Sequence, residues 1–139
     1  GAYSVLMPLA IAVIFIFSLI GILDTIYISY HAYKNTDVWC PIFPKEWCLK
    51  VQYSKWSKTF GIPNGYLGFL LYSLIFVLTW LFHYQAAVPF WWIQVLSAFG
   101  FGFAVYFTII QAFVLRAFCL WCIISAIDLS AILIAVFFL

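Results

Sequence analysis

Four apolar segments, each long enough to cross a bilayer, constrain this chain more than any other feature. They cover about residues 5–30, 65–82, 90–115 and 118–139. A helix that spans the hydrocarbon core needs roughly 17 to 25 mostly apolar residues. Because that core offers no water to backbone N–H and C=O groups, the segments must satisfy their hydrogen bonds internally as helices. The sequence therefore predicts an all-α integral membrane protein with four transmembrane helices.

The composition supports this prediction and limits the possible partners. The chain is 68% hydrophobic and 7% charged, whereas a soluble domain is about half apolar and a quarter charged. Short connections at 83–89 and 116–117 favour antiparallel neighbours in a four-helix bundle. We expect one membrane domain over residues 1–139, in contact with the lipid bilayer. A net charge of +2 gives no argument for a nucleic-acid partner.

The main polar region lies between the first two apolar segments, at residues 34–60. It holds five of the six basic residues and two of the four cysteines, Cys40 and Cys48. Pro41 and Pro44 favour an extended or turned backbone in its first part. From Lys45 onward, the spacing of apolar and basic residues predicts a short amphipathic helix on the membrane surface. We therefore expect a polar, partly helical loop.

The other two cysteines form a C-x-x-C motif, Cys119 to Cys122, where the last apolar segment begins. At the start of a helix this spacing puts two sulfurs one turn apart on one face. Unpaired N–H groups and the helix dipole favour a thiolate there, and Arg116 adds a positive charge. Such a motif can also be half of a zinc site, but no histidine lies near it, and we expect no metal.

With four membrane crossings, the first loop and the last connection lie on the same side of the membrane. The two cysteine pairs therefore share a membrane face, which permits disulfide exchange between them through mixed disulfides. The alternatives are a loop pair that is only a structural disulfide and a zinc site that uses all four sulfurs. Redox chemistry favours the oxidising side for these cysteines. The lysine-rich loop favours the cytoplasmic side, and we give priority to the redox argument.

Several short motifs outside the cysteines follow an arrangement found in a known family. They are Ser54-Lys55-Trp56 six residues after Cys48, Phe60-Gly61, Asn64 with Gly68, and Val105-Tyr106 twelve residues before Phe118. With the two cysteine pairs in this order, the chain resembles the vitamin K epoxide reductase family over about residues 20–125. The bacterial four-helix disulfide oxidases have the opposite order, with the C-x-x-C in the first loop.

Two departures from the vertebrate enzymes narrow the resemblance. The connection between Gly61 and Asn64 is very short where those enzymes carry a longer insertion over their substrate pocket. Ala126, seven residues after Cys119, occupies the position of their pocket tyrosine. Both favour a stand-alone microbial homologue that uses an ordinary quinone, in a microbial plasma membrane rather than the endoplasmic reticulum.

The resemblance implies an oxidoreductase that supports disulfide-bond formation. In the mechanism it implies, a reduced thioredoxin-fold carrier delivers electrons to Cys40 of a Cys40–Cys48 disulfide. The freed Cys48 then attacks Cys119 of a Cys119–Cys122 disulfide, and Cys122 is released facing a quinone. The acceptor would be of the ubiquinone, menaquinone or vitamin K type. The alternatives are a quinone-epoxide reductase of the vitamin K cycle type and a non-enzymatic membrane module with structural disulfides.

Three further residues are candidates for contact with the quinone. Asn64 could donate its amide to a quinone carbonyl, or it could serve only as a turn residue before Gly65. Ser54 could bond a thiolate or the quinone, or it could make a local backbone hydrogen bond. Ala126 lies one helical turn beyond Cys122, where a methyl group leaves room for a flat ring.

Asp24 and Asp128 are acids inside predicted spans, where such residues are costly and are usually paired or functional. Asp128 lies about half a helical rotation from Cys119, which argues against direct contact with the quinone. Either acid could relay protons. The expectation we favour is that each is hydrogen-bonded to hydroxyl groups inside the bundle.

Overall fold

The computed structural model describes residues 2–138, with side chains from residue 7 onward. In chain order its helices are α1 (Ala2–Lys34), α2 (Lys45–Gln52), α3 (Asn64–Trp80), α4 (Phe90–Ile109) and α5 (Leu120–Phe138). A 3₁₀ turn (Lys55–Ser57) and a small antiparallel hairpin of β1 (Lys58–Thr59) and β2 (Ile62–Pro63) link α2 to α3.

Four helices of the described chain are long and apolar enough to cross a membrane. The candidate spans are Met7–Lys34, Asn64–Gln85, Phe90–Leu115 and Leu120–Phe138. They agree with the four segments predicted from the sequence, apart from a few residues at each end. The prediction of an all-α membrane bundle is therefore confirmed.

The bundle is organised around α1 and α5. Helix α1 packs against α3 and α5, and α4 packs against α5 and, less extensively, against α3. Fully buried side chains from all four spans meet in one core: Ile14, Tyr72, Ile75, Ile93 and Ile132. Large apolar side chains on the outer faces stay exposed, as expected where the surroundings are hydrocarbon rather than water.

The ends of α3 and α4 reverse the chain sharply. Each helix widens into a π-helical last turn, Leu81–Gln85 and Ile110–Leu115. Ala86 and Arg116 then adopt left-handed backbone conformations, with φ of 49° and 53°, which commonly end helices. The second reversal lets α5 begin only a few residues after α4 ends, so the C-x-x-C motif lies close to the last turn of α4.

The polar loop folds over the end of the bundle where α5 begins. The predicted amphipathic helix is present as α2, and its buried residues are Cys48 and Val51. Phe60 and Gly61 form the tip of the hairpin with φ of 54° and 79°. Positive φ at both central residues matches the right-handed twist of a tight hairpin. Sequence patterns had suggested only a turn in this region.

Close packing of α1 against α3 requires a glycine at position 21. A Cβ there would overlap the ring of Tyr72, and overpacking of this kind costs about 1–3 kcal/mol. We expect Gly21→Ala to lower the thermal unfolding temperature of the detergent-solubilised protein. Gly102→Ala is the matched control, because nothing lies within 4 Å of a Cβ at that position. Equal unfolding temperatures for the two variants would contradict the close approach of α1 and α3.

Candidate functional site

The loop cysteines are joined in a disulfide between Cys40 and Cys48. Cys48 lies on α2 and is fully buried, whereas Cys40 precedes the helix and is partly exposed. Cys40 is therefore the more exposed of the two loop cysteines.

The backbone of Trp39, the residue before Cys40, ties this disulfide to the bundle through two hydrogen bonds. Its backbone N–H donates to the hydroxyl of Tyr27 on α1 over 2.9 Å. Its carbonyl accepts a hydrogen bond of 2.7 Å from the indole Nε1–H of Trp121, inside the C-x-x-C motif. The loop is thus tied directly to the start of α5, next to the residues that carry the second pair of sulfurs.

The C-x-x-C motif straddles the start of α5. Cys119 immediately precedes the helix, and its carbonyl accepts the hydrogen bond from the N–H of Ile123 over 3.0 Å. The N–H of Cys119 is satisfied by the side chain of Gln111, whose Oε1 lies 2.9 Å away. Gln111 is buried in the last turn of α4. No sequence motif pointed to Gln111, although a polar residue late in an apolar span is a usable signal.

The position of Cys119 favours its thiolate, as expected for a cysteine at a helix start. The pKa of Cys119 is lowered, chiefly because the thiol of Cys122 donates a hydrogen bond to its sulfur. Burial of the sulfur opposes this shift, and hydrogen bonds from the N–H groups of Cys122 and Trp121 add to it. Arg116, which the sequence suggested as a source of positive charge, is exposed.

The two cysteine pairs meet in one apolar cluster. Cys48 and Cys119 are buried members of this cluster, and Cys40 and Cys122 pack against it. Cys119 and Cys122 are free thiols. The parity argument placed both pairs at the same end of the bundle, and the cluster agrees with that argument. Cys48 and Cys119 are the loop cysteine and the motif cysteine that are buried in this cluster.

A cavity of ≈ 440 Å³ lies beside Cys122, between α1, α3, α4 and α5. Its size falls in the range of small-molecule sites. The walls are almost entirely apolar, and several wall residues on α3 and α4 are exposed on the outer surface: Leu70, Leu74 and Phe99. The cavity therefore reaches the lipid-facing side of the bundle between α3 and α4.

A few polar groups converge on this apolar cavity. The hydroxyl of Tyr72 on α3 lies 2.7 Å from the Oγ of Ser125 on α5 and 2.9 Å from its carbonyl. Both residues line the cavity, as do Gln111 and Asn64. A flat, lipophilic molecule with carbonyl oxygens, such as a quinone, fits these walls and donors.

Asn64, predicted as a ligand contact, lies in the cavity wall and also holds the hairpin. Its Nδ2 donates to the carbonyl of Trp56 over 3.0 Å, and its Oδ1 accepts from the hydroxyl of Thr59 over 2.8 Å. One N–H of the amide is left for a ligand. The two alternatives that the sequence left open, ligand contact and turn residue, are therefore compatible.

The structure does not bring the other two predicted contacts into the cavity wall. The Oγ of Ser54 donates to the carbonyl of Val51 over 2.8 Å, the local backbone bond considered as its alternative. On α5, the residues in the wall are Cys122, Ser125 and Leu129. Each residue turns about 100° around a helix, and the cavity lies on the side of Ser125 rather than of Ala126.

The expectation that the two buried acids bond to hydroxyl groups is wrong for most of their oxygens. Within the described part of the chain, neither carboxyl oxygen of Asp24 has a hydrogen-bond partner, and Oδ2 of Asp128 has none. The hydroxyls near them are used elsewhere, since Thr25 bonds back to its own helix and Ser125 bonds Tyr72. Among residues 2–138 no group of three His, Cys, Asp or Glu side chains could hold a metal ion.

The sequence matches the family model described as "Vitamin K epoxide reductase family" over residues 12–137. No curated protein matches the chain.

The hydrogen bond between the two motif thiols predicts a pH effect on Cys119. In a background of Cys40→Ser and Cys48→Ser, Cys122→Ala removes the donor that lowers the pKa of Cys119. The pKa of Cys119 should rise, so alkylation of Cys119 by iodoacetamide, followed by mass spectrometry, should reach half its maximal rate at a higher pH. Cys122→Ser is the control, because its hydroxyl can still donate. A midpoint that is the same in the Ala and Ser variants would contradict the assigned cause.

Proposed function

The chain belongs to the vitamin K epoxide reductase family, and on that premise we propose that it is a dithiol:quinone oxidoreductase that supports disulfide-bond formation. Membership makes the chain an oxidoreductase of a family that generally uses quinones as substrates. Its four apolar helices make it a multi-pass membrane protein. The proposal goes further and assigns the direction, the route and the partner of the electrons. The observation that carries it is the cluster in which both cysteine pairs meet beside an apolar cavity.

The first step takes electrons from a protein dithiol. A thiolate of a reduced thioredoxin-fold carrier attacks Cys40, so that a mixed disulfide forms and the Cys40–Cys48 bond breaks. The second carrier thiol then displaces Cys40, and the carrier leaves as a disulfide. The partial exposure of Cys40 beside the fully buried Cys48 supports Cys40 as the sulfur that is attacked.

The second step moves the electron pair inside the protein. The thiolate of Cys48 attacks Cys119 of a Cys119–Cys122 disulfide, and Cys122 leaves as a thiolate. Cys40 then displaces Cys119 from Cys48, which restores the loop disulfide and leaves a reduced C-x-x-C pair. Burial of Cys48 and Cys119 in the same cluster supports this pairing over an exchange through Cys40.

The last step transfers two electrons and two protons to the quinone. The Cys119–Cys122 disulfide forms again, and the two thiol protons balance the two that the quinone oxygens acquire. Cys122 is the motif sulfur that lines the cavity, which supports it as the residue next to the substrate. The free N–H of the Asn64 amide can donate to a quinone oxygen as negative charge develops there.

The orientation in the membrane follows from the same chemistry. Loop disulfides that exchange with a carrier persist on an oxidising face, so we place both cysteine pairs on the extracytoplasmic or lumenal side. A microbial plasma membrane suits this arrangement. The lysines of the loop are then an exception to the usual bias of basic residues toward the cytoplasmic side.

The route through Cys48 predicts a trapped intermediate. In the Cys122→Ser variant, the thiolate of Cys119 attacks Cys48 of the loop disulfide, and nothing can resolve the new bond forward. We expect a Cys48–Cys119 disulfide and a free Cys40. Cleavage after lysine separates the sites, since Cys40 lies in peptide 35–45, Cys48 in peptide 46–50 and Cys119 in the fragment after Lys58.

Non-reducing mass spectrometry should therefore show peptide 46–50 joined to the C-terminal fragment. The control is the double variant Cys119→Ser and Cys122→Ser, which should retain only the link between the two loop peptides. Peptide 35–45 joined to the C-terminal fragment would reverse the roles of Cys40 and Cys48. A loop link that persists unchanged in Cys122→Ser would leave the disulfide as a structural element.

A further inference from the structure

Two carboxyl groups lie inside the bundle without the partners that such groups normally require. Asp24 on α1 is 5% exposed and Asp128 on α5 is 2% exposed. Three of their four oxygens have no hydrogen-bond partner within the described residues. Burial of an unpaired carboxylate is costly, and acids retained inside membrane bundles commonly mark proton pathways. The relay of thiols described above makes no use of either group.

Each acid lies one helical turn from a residue in contact with Tyr72, since Asp24 follows Gly21 by three residues on α1 and Asp128 follows Ser125 by three residues on α5. On α5, Cys122, Ser125 and Asp128 follow one another at three-residue spacing, about one helical turn apart. Tyr72 on α3 packs with its ring against Gly21 of α1. Its hydroxyl bonds the Oγ of Ser125 over 2.7 Å, and both groups line the cavity. Acidic and hydroxyl groups thus extend from the C-x-x-C motif to the substrate cavity.

We propose that Asp24 and Asp128 form a proton relay that carries protons from the C-x-x-C thiols to the molecule in the cavity, through the hydroxyls of Tyr72 and Ser125. The inference rests on the proposed function, because it assumes that an oxidant in the cavity takes up protons. The proton route is independent of the electron route, since the sulfurs could pass electrons to a quinone while protons arrive by another path.

The proton balance of the relay closes within one turnover. As the Cys119–Cys122 bond forms, two thiols lose two protons and one electron pair, and the quinone gains both. A protonated carboxyl of the pair gives its proton to the hydroxyl of Tyr72 as that hydroxyl gives its own proton to a quinone oxygen, and the carboxyl regains a proton from a thiol. The pair then returns to its starting protonation. No net charge is left in the hydrocarbon, where an isolated charge is costly.

Kinetics with isosteric variants test the relay. Asp24→Asn and Asp128→Asn keep the shape of the side chain and remove the acidic group. Each should lower kcat for quinone reduction by about a hundredfold or more, the usual range for general acid–base catalysis, with little change in KM. The rate in D₂O should fall further in the variants than in the wild type. Asp24→Glu should restore much of kcat, because it restores the acid.

Ser97→Ala is the matched control. Ser97 is a fully buried polar residue of α4 whose hydroxyl bonds only to its own helix, at the carbonyl of Ile93. Its removal should leave kcat and the effect of D₂O unchanged. Asparagine variants with wild-type kcat would overturn the relay, and so would variants whose only change is a higher KM.

Infrared difference spectroscopy gives a second measurement that needs no quinone turnover. When an electrode oxidises and reduces the cysteines of the wild-type protein, the C=O stretching band of a protonated carboxyl group should shift in frequency, because the pair keeps its protonation but loses the thiols to which the relay connects it. The change should disappear in Asp24→Asn and Asp128→Asn. A wild-type spectrum without a carboxyl signal would overturn the relay even if the variants did not fold. A wild-type protein that reduces no quinone but shows this signal would contradict the proposed function and not the relay.

Discussion

The hydrocarbon of a bilayer accepts no unpaired backbone N–H or C=O group, and this constraint decides where irregular backbone can occur. Among residues 2–138, irregular backbone is confined to the connections between spans, and the C-x-x-C motif begins in one of them. The N–H of Cys119, which precedes α5, would lack a partner if Gln111 did not accept its hydrogen bond. The redox motif is therefore held by a side chain of the preceding helix, and its position depends on the left-handed reversal at Arg116.

The same constraint separates the substrates of the proposed reaction. Protein thiols approach from water, where Cys40 is partly exposed at the surface of the loop. A lipophilic acceptor approaches through lipid, where the cavity reaches the outer surface between α3 and α4. Cys48 and Cys119 are buried in the apolar cluster where the two cysteine pairs meet. A disulfide relay suits this geometry because each exchange moves an electron pair by one sulfur, without moving either substrate.

The sequence predicted the four spans, the short helix of the loop and the shared membrane face of the two cysteine pairs. These features follow from long apolar runs, from periodicity and from counting crossings, which need no knowledge of side-chain packing. The residues of the cavity wall were harder to predict. Ala126 and Ser125 differ by 100° around α5, and only the crossing of α5 with α3 selects Ser125. Asp24 likewise stays unpaired because the hydroxyls of Thr25 and Ser125 make hydrogen bonds elsewhere. Spacing along one helix does not contain that information.

The stoichiometry of a single anaerobic turnover tests the central claim most directly. The fully reduced protein is mixed with excess quinone, and the loss of quinone absorbance is measured without added carrier. If both cysteine pairs pass their electrons to the quinone through Cys122, the wild type should reduce two quinones per protein, one for each pair. A variant with Cys40→Ser and Cys48→Ser should reduce one quinone, and Cys122→Ser should reduce none. One quinone per wild-type protein would disconnect the loop pair from the relay, and quinone reduction by Cys122→Ser would contradict the account.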